Sequence, residues 1–172
     1  MEERGLGKGL LHIPRTRSEN MVLYTPGSSS SYPVDPPENG IRLHFLGGAG
    51  EVGNVGCIIE DNTSTRVLVD YGLAPTKPPR YPSESPSVKH AIMTHAHIDH
   101  IGMAPWLATY GTLLHGTDLT AAVSEIMWSD TYKVSDIEGY PLAWDKRDME
   151  VALDSWMPHK FGELFAIGDW NC

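Results

Sequence analysis

Residues 94–102 read Thr-His-Ala-His-Ile-Asp-His-Ile-Gly and place three histidines and one aspartate within six positions. The four side chains are His95, His97, Asp99 and His100. On a helix they would spread around most of the circumference, and on a strand the first three would oppose the last. The segment follows an apolar run and precedes a segment of helical pattern. We therefore predict a loop that wraps these side chains around a metal site.

The residue types narrow the chemistry of this site. Imidazole nitrogen and carboxylate oxygen suit zinc or a similar transition metal. Because Asp99 and His100 are adjacent, they do not easily point at the same ion as His95 and His97. Two neighbouring ions, each held by part of the segment, give the simpler geometry. Such a pair forms a clamp for displacement at phosphorus or attack at a carbonyl. A chance cluster of surface histidines is the alternative, and four metal-type residues at this spacing disfavour it.

The pattern along the chain predicts a mixed α/β fold, in which a sheet buries one face against helices. Strands come first, and strands and helices then alternate. The final strand has no evident partner. The predicted elements are strands at 41–47, 56–61, 65–72 and 88–94, a helix at 102–111, a strand at 112–117, helices at 118–137 and 145–156, and a strand with a tight turn at 160–172.

The first part of the chain has a different composition. Residues 1–40 are rich in Pro, Gly and Ser towards their end and have no periodicity, which predicts a disordered or flexible extension. Residues 41–172 are then the folded domain. The glycine-rich loop at 47–56 lacks the features of a phosphate-binding or dinucleotide-binding loop, so we expect a tight turn that brings backbone near the metal site.

Charge and composition limit the setting and the partners. The net charge of −9 argues against a generally basic nucleic-acid-binding surface, although a local basic groove stays open. Two cysteines give no disulfide framework, and we expect a reducing, cytoplasmic setting. The sequence contains no run long enough to span a membrane and no apolar secretory signal at its start, so no membrane association is predicted.

The histidine motif resembles the metallo-β-lactamase superfamily. His95, His97, Asp99 and His100 match its HxHxDH pattern, and Asp70 matches the aspartate that ends an earlier strand. The resemblance implies an α/β fold of the αββα sandwich type. It also implies two zinc ions, the first held by the first two histidines and the second by Asp99 and His100. Asp70 would support these ligands from behind, and Asp99 would orient a metal-bound hydroxide nucleophile as the catalytic carboxylate.

The flanking sequence resembles the β-CASP nucleases within this superfamily. The similarity covers about residues 41–172, including 46–60 and 94–111. It implies an RNA substrate and cleavage of a phosphodiester. One departure is the loop 53–57, which reads Gly-Asn-Val-Gly-Cys where the family usually has Gly-Arg-Ser-Cys. The later metal-binding motifs of the family are absent, so we expect this chain to correspond to the N-terminal half of the sandwich.

Two alternatives to a ribonuclease stay open. The motif is shared by enzymes that hydrolyse small molecules such as thioesters or lactones, so it does not discriminate between them. The chain could also be an inactive module whose site is completed in a homodimer or by a second chain. Of the other histidines, His115 is predicted to pack structurally, His159 to lie on the surface, and His90 to have no metal role.

Overall fold

The computed structural model describes residues 27–28, 40–63, 65–82 and 84–172. The predicted flexible extension at 1–40 lies almost wholly outside these residues and stays a prediction. The strands are β1 (Gly27–Ser28), β2 (Ile41–Gly47), β3 (Gly56–Asp61), β4 (Arg66–Val69), β5 (Glu84–Ser85), β6 (His90–Ile92), β7 (Leu113–Gly116), β8 (Trp156–Pro158), β9 (Ala166–Ile167) and β10 (Trp170–Asn171). The helices are α1 (Ile98–Ile101), α2 (Ala104–Ala108), α3 (Asp118–Glu138) and α4 (Lys146–Asp154).

A six-stranded sheet with the order β2-β3-β4-β6-β7-β8 organises the described residues. The pairs β2–β3 and β3–β4 are antiparallel, as expected for consecutive strands joined by short turns. The pairs β4–β6, β6–β7 and β7–β8 are parallel. The carboxyl ends of these four strands therefore meet at one edge of the sheet, where ligand sites of α/β folds usually form. The predicted metal-site segment directly follows β6 at that edge.

Local sequence signals explain where the two long helices begin. The Thr117 side chain accepts a hydrogen bond from the Thr120 backbone N–H and caps α3. Asp145 and Asp148 form a reciprocal capping box at the start of α4. At the end of α3, Gly139 has φ 74° and takes the left-handed conformation that glycine adopts without cost. Both helices begin within one residue of the starts predicted from the sequence, 118 and 145.

One face of the sheet, here called the helix-covered face, packs against the helices. Ile58, Leu68, Ala91 and Leu114 point to this face and are all fully buried. They share one core cluster with Trp128 of α3 and with residues of α2 and α4. Burying each large aliphatic side chain contributes about 2 kcal/mol to folding. This layer fixes the helices, and through them the metal-site segment, on the sheet.

The opposite face, here called the open face, carries apolar side chains that stay largely exposed. Leu43, Phe45 and Met157 are 50%, 56% and 42% exposed. The hairpin β9–β10 covers only part of this face, where the Phe165 ring stacks on His115. The described residues thus supply one helical layer and one sheet layer, which is a partial αββα sandwich.

The structure corrects two of the predicted elements. The final segment was expected to lack a partner strand, but β9 and β10 pair with each other in an antiparallel hairpin. The segment 94–102 was expected to be a loop throughout, but it turns helical at Ile98 and forms α1. Elsewhere the predicted strands and helices are present, with bounds that shift by a few residues. No helix in the described stretches is both long enough and apolar enough to cross a membrane.

Candidate metal centre

Asp70 is the buried centre of the site and sits at the end of β4. Its side chain is only 4% exposed, and its backbone has φ 59°, a conformation that aspartate tolerates better than most residues. Three donors point at its carboxylate. The Thr94 backbone N–H donates to Oδ1 at 2.8 Å, and the Thr94 hydroxyl donates to Oδ2 at 2.8 Å. His100 Nδ1 lies 2.8 Å from Oδ2.

These contacts set the tautomers of two histidines. A carboxylate only accepts hydrogen bonds, so His100 must carry its hydrogen on Nδ1, and its Nε2 lone pair is left available. The single hydrogen of the Thr94 hydroxyl is used on Asp70. His95 Nδ1 lies 3.0 Å from the same hydroxyl oxygen and must therefore donate to it. His95 Nε2 is therefore unprotonated and faces His97 Nδ1 at 3.0 Å, and an unprotonated nitrogen is what a metal needs.

The imidazoles of His95, His97 and His100, here called the His95 cluster, lie side by side. His95 Nε2 is 3.0 Å from His97 Nδ1, and the His95 and His100 ring centroids are 4.0 Å apart. Burial lowers the pKa of His95, and the neighbouring His100 and His97 lower it further. His95 therefore stays neutral at physiological pH, in the form that binds a metal.

Backbone contacts hold Asp99 and His100 against the strand ends. The Tyr71 N–H donates to the His100 carbonyl at 2.7 Å, and the Val55 N–H donates to the Asp99 carbonyl at 3.0 Å. A Cβ at Gly72 would lie 1.6 Å from the Asp99 carbonyl oxygen, so only glycine fits there. The glycine-rich loop thus approaches the site through Val55, as the sequence predicts.

Two tryptophans anchor the end of α1 from the helical layer. The Trp128 indole N–H donates to the Ile101 carbonyl at 2.9 Å, and the Trp144 indole N–H donates to the Gly102 carbonyl at 2.7 Å. Both rings are fully or almost fully buried. They satisfy carbonyls that a helix terminus leaves without partners. The four-residue helix is therefore held in place by the surrounding fold rather than by its own length.

The donor set fits a transition metal, although it is incomplete. Among the described residues, no group of three or more His, Cys, Asp or Glu side chains is arranged to hold a metal ion. The spacing of 3.0 Å between His95 Nε2 and His97 Nδ1 is close to the separation of about 3.3 Å between two nitrogens on one tetrahedral zinc. The Asp99 carboxylate is 31% exposed and lies 3.7 Å from His100 Nε2. The four predicted ligands thus stand as two neighbouring pairs.

A second group of histidines lies across the open face. His90 Nδ1 is 3.0 Å from His115 Nε2, and His115 Nδ1 is 2.9 Å from His159 Nε2. We call His90, His115 and His159 the histidine row. His115 is 4% exposed, which confirms its predicted packing role. The prediction that His159 lies on the surface is wrong, because it is half-buried and stacks on Phe165 with ring centroids 3.6 Å apart.

Sequence reasoning assigned no role to Thr94. Its hydroxyl and backbone N–H both contact Asp70, and the hydroxyl also contacts His95. The available signal was its place between the end of a strand and the first histidine of the motif. A hydroxyl at that position is within reach of any carboxylate on the neighbouring strand end.

Comparison with known proteins identifies the family of this chain. The family profile "Metallo-beta-lactamase superfamily" matches residues 49–151, which is more than half of the chain. A transcription termination factor FttA of Lokiarchaeum sp. is 32% identical over 136 residues, which cover 74% of this chain and 21% of that protein. An RNase aCSPSF2 of Saccharolobus solfataricus is 32% identical over 131 residues, which cover 73% of this chain and 26% of that protein.

A third relative is an RNase J-like protein of Methanocaldococcus jannaschii, 31% identical over 115 residues, which cover 67% of this chain and 25% of that protein. The chain thus spans about a fifth to a quarter of the length of these three curated relatives. The predicted resemblance to β-CASP-type RNA-processing nucleases is confirmed. The chain belongs to the metallo-β-lactamase superfamily.

Proposed function

We propose that this chain carries part of the active site of a zinc-dependent ribonuclease that cleaves RNA phosphodiesters. The observation that supports the proposal best is the orientation of the histidines by Asp70 and Thr94. It leaves the Nε2 atoms of His95 and His100 unprotonated at the edge of the sheet, where His95 Nε2 faces His97 Nδ1. A purely structural histidine cluster would not need a buried carboxylate to hold its rings in this way.

The residues divide between two ions in this proposal. His95 and His97 would hold one zinc, and Asp99 and His100 would hold the other. When bound, zinc would polarise the scissile phosphodiester and lower the pKa of the attacking water. Asp99 would orient that water and accept its proton, because its carboxylate is the most exposed acidic group beside the rings. Asp70 would keep the imidazoles aligned and would not contact the substrate.

The choice of RNA as substrate is supported by the names of the relatives rather than by charge. Two of them are named as ribonucleases and one as a transcription termination factor. The net charge of −9 is unfavourable for a polyanion. Positive charge at the cleavage site would therefore come from the bound ions and from basic residues outside the acidic surface.

The test uses the full-length protein and measures its zinc content and its cleavage of labelled RNA. Asp99→Asn should abolish cleavage while the protein stays folded. Glu125→Gln is the matched control, because it also removes one carboxylate, from an exposed position on α3. This variant should cleave like the wild type. A protein with two zinc ions bound and no cleavage of RNA would contradict the proposal. Hydrolysis of a thioester or lactone by the same preparation would favour the small-molecule alternative.

A second candidate function is a module whose metal site is completed by further ligands. The observation that favours it is that each proposed ion has only two donors among the described residues. Zinc usually takes four ligands, of which at least three come from the protein. Residues 1–172 alone should therefore bind zinc weakly and cleave RNA slowly or not at all. Full activity from this chain alone would remove this candidate.

A further inference from the structure

The outward face of α3 carries an unusual apolar stripe. The helix buries Ser124, Trp128 and Ser135 against the rest of the fold. On its opposite side, Ile126 is 67% exposed and Ile137 is 83% exposed. Leu119 and Val123 extend the same stripe at 70% and 38% exposure, and Asp130 and Lys133 lie in its middle. We call these six residues the α3 stripe.

The spacing of the α3 stripe is that of a coiled-coil seam. Its positions follow one another at intervals of four, three, four, three and four residues, from Leu119 to Ile137. Alternating steps of four and three residues keep side chains on one line along a helix that pairs with another helix. A helix that only needs solubility would place polar side chains at most of these positions.

The two charges inside the stripe determine which helix would fit against it. In an antiparallel pair of α3 helices, one register places Asp130 opposite Lys133 of the second copy, and Lys133 opposite its Asp130. The same register places Ile126 opposite Ile137 and Ile137 opposite Ile126. Two ion-pair layers would then lie between two isoleucine layers. The part of the stripe from Ile126 to Ile137 is therefore complementary to itself under a two-fold axis, as symmetric dimers require, whereas Leu119 and Val123 would lie beyond the end of α3 of the second copy.

Other pairings of the same stripe are worse. Shifting the antiparallel register by seven residues places Asp130 opposite Ile126 and Lys133 opposite Val123, which leaves charges against apolar groups. A parallel pair in register would place each charge against its own copy and repel. Charge complementarity therefore selects the antiparallel register centred between Asp130 and Lys133. We propose that the α3 stripe is a self-association surface through which two copies of this chain form an antiparallel helix pair.

The interface is small, because it rests on one helix from each copy. Interfaces at the low end of the size range form weak or transient complexes, so we expect a weak dimer. The proposal does not depend on the metal site, since the α3 stripe faces away from the buried side of the helix.

The test measures the mass of the 172-residue chain by sedimentation velocity over a range of concentrations. The wild type should form a dimer. Asp130→Lys should weaken the dimer roughly tenfold or more, because lysine would face Lys133 in two layers. Lys133→Asp should do the same. The double variant restores opposite charges in both layers and should return the affinity to near that of the wild type.

Controls separate this surface from the open face of the sheet. Glu125→Lys changes the net charge as much as Asp130→Lys but lies on an exposed flank of α3 outside the stripe, so it should not alter the dimer. Circular dichroism checks that every variant keeps its helix content. A wild-type chain that stays monomeric at high micromolar concentration would overturn the proposal. So would a dimer that is insensitive to both charge reversals and is lost in Phe45→Glu, because the interface would then be the open face.

Discussion

The two histidine groups of this protein have similar spacings and opposite properties. In the His95 cluster, His95 and His97 nitrogens are 3.0 Å apart, and in the histidine row the two contacts are 3.0 and 2.9 Å. The cluster stands on a buried carboxylate, Asp70, and beside a half-exposed one, Asp99. The row ends on the ring of Phe165. The difference lies in what surrounds the rings rather than in the rings themselves.

Hydrogen bonding explains why the surroundings matter. In the row, both nitrogens of His115 face another imidazole, so its one N–H and one lone pair are both used. In the cluster, Asp70 and Thr94 occupy the Nδ1 sides of His100 and His95. Each of these two rings therefore presents an unprotonated Nε2 towards another predicted ligand: that of His95 faces His97 Nδ1 at 3.0 Å, and that of His100 lies 3.7 Å from the Asp99 carboxylate. In the proposed function, the carboxylate behind His100 would fix the ring orientation in which the histidine binds a metal.

Replacing the buried carboxylate should have the largest effect. Asp70→Asn removes an acceptor of the Thr94 hydroxyl and of His100 Nδ1, while asparagine tolerates the left-handed backbone. We expect the free energy of unfolding to fall by about 2 kcal/mol, because buried donors lose their partner. Zinc affinity should fall by about 10- to 100-fold. Chemical denaturation and zinc titration measure the two effects.

The matched control for this variant is Asp99→Asn. It should lower zinc binding but change the free energy of unfolding by less than about 0.5 kcal/mol, because surface substitutions usually have small effects. Equal stability of Asp70→Asn and the wild type would contradict the role assigned to Asp70.

Zinc binding should separate the two histidine groups. His95→Ala removes a proposed ligand whose unprotonated Nε2 faces His97, and we expect the chain to lose most of its zinc. His159→Gln changes the row and should leave zinc binding as in the wild type. Equilibrium dialysis measures the bound metal, and loss of zinc in the His159 variant alone would reverse the assignment.

The row should make stability depend on pH. Burial lowers the pKa of His115 from 6.5 to about 4, and His90 and His159 contribute to the same direction. The unfolded chain therefore binds more protons than the folded chain between these values. The free energy of unfolding should rise with pH across this window and fall on acidification. In His115→Gln the free energy of unfolding should depend less steeply on pH. Thermal unfolding at several pH values measures this dependence. An unchanged slope would count against the burial of a neutral His115.

The smallest effect is expected at Thr94. Thr94→Val keeps the shape and the backbone N–H bond to Asp70 but removes the hydroxyl that fixes the His95 tautomer. Zinc affinity should fall by about tenfold. Thr94→Ser restores the hydroxyl and should recover most of the affinity. If Thr94→Val binds zinc like the wild type, the hydroxyl does not position His95.

The sequence predicts those parts of the molecule that depend on local spacing. The starts of α3 and α4 depend on a few consecutive residues, and the structure has both within one residue of the predicted positions. The histidine row could not be predicted, because His90 and His115 lie on two strands and His159 directly follows a third, and only the parallel pairing brings these strands together. Spacing along the chain carries no information about such a row.

The helix α1 was missed for a related reason. Four residues are too few to form a helix by their own propensity. Donors from distant parts of the chain hold its backbone instead. The Tyr71 N–H donates a hydrogen bond to the His100 carbonyl, and the Trp128 indole N–H donates one to the Ile101 carbonyl. The hairpin β9–β10 was missed because each strand has only two residues, which is too short a pattern to identify two strands.

The most direct test follows the imidazole nitrogens by long-range ¹H–¹⁵N correlation spectroscopy during a zinc titration of the 172-residue chain. The account predicts that the His95, His97 and His100 signals shift together while those of His90, His115 and His159 do not move. Before zinc is added, His95 and His100 should show the tautomer protonated at Nδ1. Shifts confined to the histidine row, or free His95 and His100 protonated at Nε2, would contradict the account.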